Sequence, residues 1–398
     1  NRYDAKEWPA DHHLGRTRSA FGTGAPYPLR ITIQGPAEFQ WNSVGELVEE
    51  TVEEGRRTSV WQTDHPVSFF NVVGARWETL RGEGTAIYHH AEHRYNLQEM
   101  RIALDAARRH YSEWFQPFPW KELKLSEFPA LATYAQGFPT NVTFSEGIGF
   151  LAKSTPEANE AFLVTAHEAA HQWWGNLLVP GEGPGGNVLS EGLAHFASIL
   201  LFEAVRGEEE RMHFCRTIET RYEENRQRDA ERSLARVDGS RPGDTTVFYD
   251  KGGMVFWMLL RHMGREPCLA GLRSFLAAWG TSEDHALVED FVAHMRAFVP
   301  DGPAYDSFTR QWFFEVVVPE YELTDVGIEE HAGIAGPVWE VHARVTNKGG
   351  AEMPVEVAAV LGERFPGAST DEQESASAEP PGADYHEART RTTLGPGA

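Results

Sequence analysis

Residues 167–171 read His-Glu-Ala-Ala-His, and a glutamate follows at position 191. On a helix, residues i and i+4 share one face, with Cβ atoms about 5–6 Å apart. His167 and His171 can therefore each set a ring nitrogen about 2.0–2.1 Å from one Zn²⁺. Glu168 stands between them, near the metal but not on it, where a carboxylate can take a proton from water that the metal activates. Three protein ligands leave a fourth position open, which is the catalytic rather than the structural arrangement, and Glu191 can supply the third. On spacing alone, Glu191 is equally well read as a solvated carboxylate at a helix start.

Helices must position these groups. Thr155 as N-cap, Pro156 at the first helical position and Glu157 beside the positive helix end predict a helix over 158–174. Phe162, Ala166, Ala170 and Trp173 or Trp174 recur every three to four residues as its buried face, and Gly175 with Asn176 closes it. After a Gly/Pro-rich turn from Gly181 to Gly186, a second helix opens at Asn187, capped by Asn187 or Ser190, with Glu191 in its first turn. His195 lies four residues further on the same face. It reads either as a partner that orients Glu191 or as a core histidine. Tyr249 precedes a helix expected over 251–263, where a phenol either packs into the core or donates to a developing oxyanion.

At this point the chain resembles the gluzincin metallopeptidases of the M1 aminopeptidase type. The matching residues are His167-Glu-Ala-Ala-His-Gln-Trp-Trp-Gly-Asn176, Leu189-Ser-Glu-Gly-Leu-Ala194 and Tyr249-Asp-Lys-Gly-Gly253, within a resemblance that covers residues 85–318. It implies one zinc ion on His167, His171 and Glu191, Glu168 as the general base, and Tyr249 as the donor to the oxyanion. Two departures stand out. The interval between His171 and Glu191 holds 19 residues, one more than is usual in the family. The family's Gly-x-Met-Glu-Asn segment, whose glutamate holds a substrate's amino terminus, is matched by Gly137-Phe-Pro-Thr-Asn141. Thr140 replaces that glutamate, so the anionic anchor is missing. Gly137, Thr140 and Asn141 remain the candidate substrate-binding residues. The stretch from Phe128 to Phe150, the longer interval and Leu189-Ser-Glu191 resemble the M1-like domains attached to bacterial ABC-2 permease proteins. That narrower likeness implies a parent polypeptide with membrane segments before Asn1 and a peptidase domain on the extracytoplasmic face of a bacterial membrane.

Bulk properties narrow the options. With 36 basic and 59 acidic side chains the formal net charge is -23, which argues against nucleic acid as a partner. Two cysteines, Cys215 and Cys268, are too few for a disulfide framework, and whether they pair is left open. No run of 18 apolar residues suggests a transmembrane helix, and no signal peptide is evident.

The expected fold class is α+β, a thermolysin-like zinc peptidase domain flanked by β-sandwich-like segments. Residues 1–84 read as a truncated β domain, 85–318 as the peptidase domain, and 319–398 as a small β-sandwich-like domain with a mobile acidic loop over 366–384. Within these, 29–33, 59–63, 85–90, 123–128 and 141–144 are expected strands. Residues 97–114, capped by Asn96, and stretches near 267–279 and 287–298 are expected helices. The charged segment 207–235 reads as a solvated face. A hairpin is expected between 339–345 and 355–360 across the turn Asn347-Lys-Gly-Gly350. A second metal site from His89, His90 and His93 is disfavoured, because adjacent histidines on a strand point to opposite faces. The reading favoured by these residues is zinc-dependent hydrolysis of peptide bonds, with an extended substrate pairing to the edge strand near Gly137. The alternatives are a non-catalytic peptide-binding or regulatory module of a membrane ABC transporter, or an amidase on the same site.

Overall fold

The computed structural model describes residues 12–21, 25–151, 153–154, 159–333, 336–362 and 385–398. They form two compact units, Asn1–Tyr305 and Asp306–Ala398. The mixture of sheets and helices is the expected α+β class.

In the first unit, strands β1 (Arg30–Pro36), β4 (Arg56–Gln62) and β3 (Glu46–Glu53) form an antiparallel sheet, and β2 (Gln40–Ser43) pairs with β5 (Val72–Ala75). A five-stranded sheet follows in the order β6-β7-β8-β10-β9, made of Trp77–Arg81, Thr85–His90, Leu123–Phe128, Asn141–Ser145 and Ala135–Phe138. Because β6 pairs with β7, this sheet runs across residue 84. Strands β7, β8 and β10 are parallel, whereas β6 and β9 are antiparallel edges. A parallel pair needs a crossover, and helix α1 (Leu97–Trp114) supplies it between β7 and β8. Its buried stripe is Met100, Ala103, Leu104, Ala107, Tyr111 and Trp114, at the three-to-four spacing of one helix face. Asn96 precedes it in the left-handed conformation that asparagine tolerates. Its side chain does not cap the helix but donates to Gly149 O at 2.9 Å and accepts from Ser154 N at 3.0 Å.

The short helix α2 (Glu146–Gly149) follows β10 and leads to α3 (Glu160–Ala170). Thr155, Pro156 and Glu157, expected to start α3, lie outside the described residues. The cap among the described residues is Asn159, whose side chain accepts from Phe162 N at 3.2 Å. Helix α3 ends at Ala170, earlier than Gly175, because the chain turns tightly from His171 to Trp174. Trp173 and Trp174 are fully buried, and Tyr111 meets Trp173 edge to face at 5.5 Å while its hydroxyl donates to Ala166 O. This aromatic contact seats α3 on α1, where the rings contribute both apolar area and geometry.

The rest of the first unit is helical. A π-helical turn, Val188–Gly192, runs into α4 (Leu193–Asn225), which is kinked at Gly207 with φ 85°. The turn α5 (Asp244–Thr246) leads through a second π-helical turn, Val247–Lys251, into α6 (Gly252–Met263); α7 (Arg265–Trp279) and α8 (Val288–Met295) follow. By length and composition the helix Val188–Asn225 could cross a membrane, but 78% of its apolar window is buried within the fold, as in a core helix. The segment 207–235 is less solvated than expected. Glu231 has no exposed side-chain surface and pairs with Lys251 and Arg226, while Arg221 reaches inward to Asp250. Cys215 and Cys268 are buried free thiols.

Helix α9 (Gly302–Thr309) carries the boundary between the units. In the second unit, β11 (Tyr321–Gly333) pairs with β12 (Gly336–Asn347), and β13 (Met353–Leu361) pairs with β14 (His386–Leu394). The expected hairpin between 339–345 and 355–360 is therefore corrected, since each strand has a different partner. Asn347 explains the outcome. Its side chain donates to Ala351 O and Leu394 O and accepts from Gly349 N, so the turn joins two ribbons instead of closing one. The acidic loop over 366–384 lies outside the described residues.

Candidate active site

His167 and His171 project from one face of α3 and its terminal turn, with ring centroids 4.7 Å apart. Glu191 comes from the π-helical turn. Its Oε2 lies 3.1 Å from His167 Nε2 and 3.1 Å from His171 Nε2. Ligands about 2.0–2.1 Å from a tetrahedral zinc stand about 3.3 Å from each other, so these donors fit the ion. The second nitrogen of His171, Nδ1, faces Trp174 O at 2.9 Å, which leaves Nε2 as the metal-facing atom. Electrostatics agree. Burial lowers the His171 pKa, but the charges of Glu191 and Glu168 outweigh it and lift the imidazole to about 9. Burial pushes His167 the other way, down to about 3.

Glu168 is buried beside them, and burial raises its carboxyl to about 7 despite the nearby His171 charge. Gly137 on β9 donates its main-chain N–H to this carboxylate. A Cβ at Gly137 would stand 2.6 Å from Glu168 O and 2.8 Å from His171 Cβ, so only glycine lets the strand lie this close to α3. Gln172 and Asn176 hold the same segment. Gln172 accepts from Thr140 N at 2.7 Å and donates to Phe138 O at 3.0 Å, while Asn176 donates to Gly137 O at 2.9 Å.

Thr140 and Asn141 are fully buried and turn away from the cleft. The Thr140 hydroxyl accepts from Gly45 N at 2.7 Å, and Asn141 bonds with Ser126 and Asn71. Their side chains hold the β-layers together and do not line the site, in contrast to the reading that placed them at the substrate.

Tyr249 occupies the second π-helical turn. Its ring stacks on His167 at 5.5 Å, and its hydroxyl pairs with Glu191. Burial, reinforced by the Glu191 charge, raises its pKa, so the phenol keeps its proton for donation. Glycines bring the two π-helical turns together. A Cβ at Gly192 would meet Phe248 O at 3.0 Å, one at Gly252 would meet Gly192 Cα at 3.3 Å, and one at Gly253 would meet His195 Cβ at 2.8 Å. A π-helical turn holds one more residue than an α-helical one. It thus provides, besides the Gly181–Gly186 turn, a place for the additional residue before Glu191.

His195 is buried, with Nδ1 3.1 Å from His167 Nδ1 and Nε2 3.0 Å from an Arg221 nitrogen and 3.6 Å from Asp250 Oδ1. The partner it orients is therefore His167 and not Glu191. Two proton arrangements fit these distances, and an ion held on His167 Nε2 would leave Nδ1 to donate to His195 Nδ1, with His195 Nε2 turned toward Asp250 and Arg221. Burial would raise the Asp250 carboxyl, but the bond with His195 and the charge of Arg221 hold it below its usual value. The sequence points to no role at the site for Gln172, Arg221 or Asp250, and for Asn176 only to the helix end. Three of them lie inside the quoted motifs, whereas Arg221 had no local signal.

The site opens into a cleft of about 720 Å³. It is lined by apolar groups from Tyr134, Ala135, Ile148, Leu163 and Val164 and by polar ones from Arg221, Asn225, Gln227, Thr245 and Thr246.

The chain is similar to known proteins in family and fold. The family model of the peptidase family M1 domain matches residues 103–312. Aminopeptidase M1-B of Oryza sativa subsp. japonica is 26% identical over 338 residues, covering 79% of this chain and 38% of the relative. Among solved structures, an M1 zinc metallopeptidase from Deinococcus radiodurans superposes with a TM-score of 0.58 at 17% identity, over 73% of this chain and 65% of that one. A mutant of an M1 zinc metallopeptidase from Deinococcus radiodurans, bound to a Tyr-Ser-Ala substrate, gives 0.55 at 15% identity, over 75% and 66%. Legionella pneumophila aminopeptidase A, in complex with aspartic acid, gives 0.60 at 18% identity, over 91% and 42%. The chain thus spans 38% of the length of the curated relative it matches.

Proposed function

The chain belongs to peptidase family M1, and from that premise we propose that it hydrolyses peptide bonds with Glu168 as general base. Zinc is the cofactor of such a domain, and we assign its ligands as His167, His171 and Glu191. When bound, zinc supplies Lewis acidity that lowers the pKa of water toward about 7 and polarises the scissile carbonyl. Glu168 accepts the proton of the attacking water and returns it to the leaving amine. Burial sets its carboxyl near neutral pH, where a group that must both take and give a proton works best. Tyr249 donates from its hydroxyl to the oxygen that gains charge.

The observation that carries this reading is the convergence of His167, His171 and Glu191 on one point with the Gly137-anchored Glu168 beside it. We assign the substrate as an extended peptide lying along β9, the outer strand of the sheet nearest α3. Thr140 offers no carboxylate to a substrate ammonium, so the cleaved end is set elsewhere in the cleft. Glu168→Gln should keep zinc and lose cleavage of a peptide library by a factor of about 10² to 10⁴. Wild-type cleavage rates in that variant would overturn the assignment, and product masses from the wild type separate terminal trimming from internal cuts.

The finer placement is also a proposal. The likeness of Phe128–Phe150 to permease-attached M1 domains supports a location on the extracytoplasmic face of a bacterial membrane, on one polypeptide with a permease portion. Fractionation of the full-length parent polypeptide, followed by protease accessibility from the outer side, tests it. Recovery in the soluble fraction would exclude it.

A further inference from the structure

A second group of metal-ligating side chains stands apart from the catalytic one. His93 follows β7, Glu127 lies near the end of β8, and Glu146 opens α2; one ligand atom of each lies within 4.8 Å of the others. His93 Nδ1 pairs with Glu127 Oε1 and lies 3.7 Å from Glu146 Oε2. The remaining oxygen of each carboxylate is held by main chain. Glu127 Oε2 accepts from His90 N at 2.6 Å, and Glu146 Oε1 accepts from Ala130 N at 2.9 Å. Each glutamate is thus oriented through one oxygen and presents the other to a point shared with His93. Donors fixed in advance by their own hydrogen bonds are what a metal site requires.

Neither His89 nor His90 joins His93 in this group. His89 is buried, and His90 contributes only its main-chain N–H and a ring 4.8 Å from that of His93. The second and third donors come from β8 and α2, far from His93 in sequence. Glu127 is 4% exposed, while His93 and Glu146 are partly open, so an ion has a path inward to a sheltered carboxylate. Two carboxyl groups face one imidazole, a donor set with the charge and the nitrogen–oxygen mixture that suit Zn²⁺.

We propose that His93, Glu127 and Glu146 form a second divalent-cation site. The chain between Glu127 and Glu146 carries Tyr134 and Ala135, which line the cleft. An ion there clamps both ends of that segment and stiffens the apolar wall against which a substrate lies.

The test is zinc stoichiometry of the full chain, stripped with chelator, dialysed against Zn²⁺ and measured by elemental mass spectrometry. Wild type should hold two ions per chain. His93→Ala and Glu146→Gln should each hold one, and His171→Ala should also hold one. Circular dichroism melts show whether each variant folds, and if His93→Ala does not, Glu146→Gln decides. A single ion in wild type, unchanged in Glu146→Gln, overturns the proposal, as do two ions that persist in that variant. Glu168→Gln leaves the count at two, so this result stands or falls separately from the hydrolytic role.

Discussion

His195 Nδ1 lies 3.1 Å from His167 Nδ1, which links a proposed zinc ligand to the buried Asp250 and, through it, to the half-exposed Arg221. Groups that orient a ligating histidine commonly change metal affinity or activity by about 10–100-fold when removed. Asp250→Asn and His195→Ala should each weaken zinc binding within that range, measured by competition with a chromogenic chelator. A structural role alone would lower the melting temperature and leave the zinc affinity of the folded protein unchanged.

Tyr249 should act on turnover more than on binding. Tyr249→Phe keeps the ring against His167 and removes only the hydroxyl. Loss of one oxyanion donor costs about 10²–10³ in kcat. The expected result is a drop of that size with KM nearly constant. An equal fall in kcat/KM caused by KM alone would assign the hydroxyl to substrate binding.

Gly253 permits α6 to touch α4. In Gly253→Ala the new Cβ would stand 2.8 Å from His195 Cβ. Overpacking of this kind costs about 1–3 kcal/mol, and here it also displaces His195 from His167. Urea unfolding should show the loss, and zinc affinity should fall with it. Gly183→Ala is the matched control, since nothing lies within 4 Å of its Cβ position, and a change within about 0.5 kcal/mol is expected.

Lys124 gives the protein a basic-side pH dependence. Burial lowers its pKa from 10.5 to about 8, and its ammonium donates to Gly45 O and Thr140. Below pH 8 both folded and unfolded chains carry the proton, and the cost of burying the charge is fully present. Between about 8 and 10.5 the folded chain has lost the proton and the unfolded chain has not. Stability therefore rises with pH across that window, by on the order of 3 kcal/mol for this group. In Lys124→Met the rise contributed by this residue should vanish from denaturation curves taken at pH 7.5, 9 and 10. An unchanged slope would assign it to other groups.

Local signals made much of this molecule legible. The His-Glu-Ala-Ala-His spacing follows from the period of a helix, the helix over 97–114 from its apolar periodicity, and the strand over 85–90 from a short run that is buried almost throughout. These elements carry their information within a few residues. The hairpin expected in the second unit does not form, because strand pairing depends on partners far along the chain and Asn347 has three bonds that no local pattern reveals.

The sequence by itself determined that His167 and His171 can share a metal ion with Glu168 beside them, because i and i+4 geometry is a property of the helix alone. Only the tertiary structure decided what surrounds them. Thr140 and Asn141 turned out to brace the β-layers, since the backbone at Thr140 has φ 62° and aims its side chain at Gly45. Arg221, 29 residues before Asp250, became its partner because α4 passes over the second π-helical turn. His93 met Glu127 and Glu146 because a parallel sheet sets distant strand ends side by side. In each case the contact depends on packing between separate elements, a distance that spacing along a single chain does not encode.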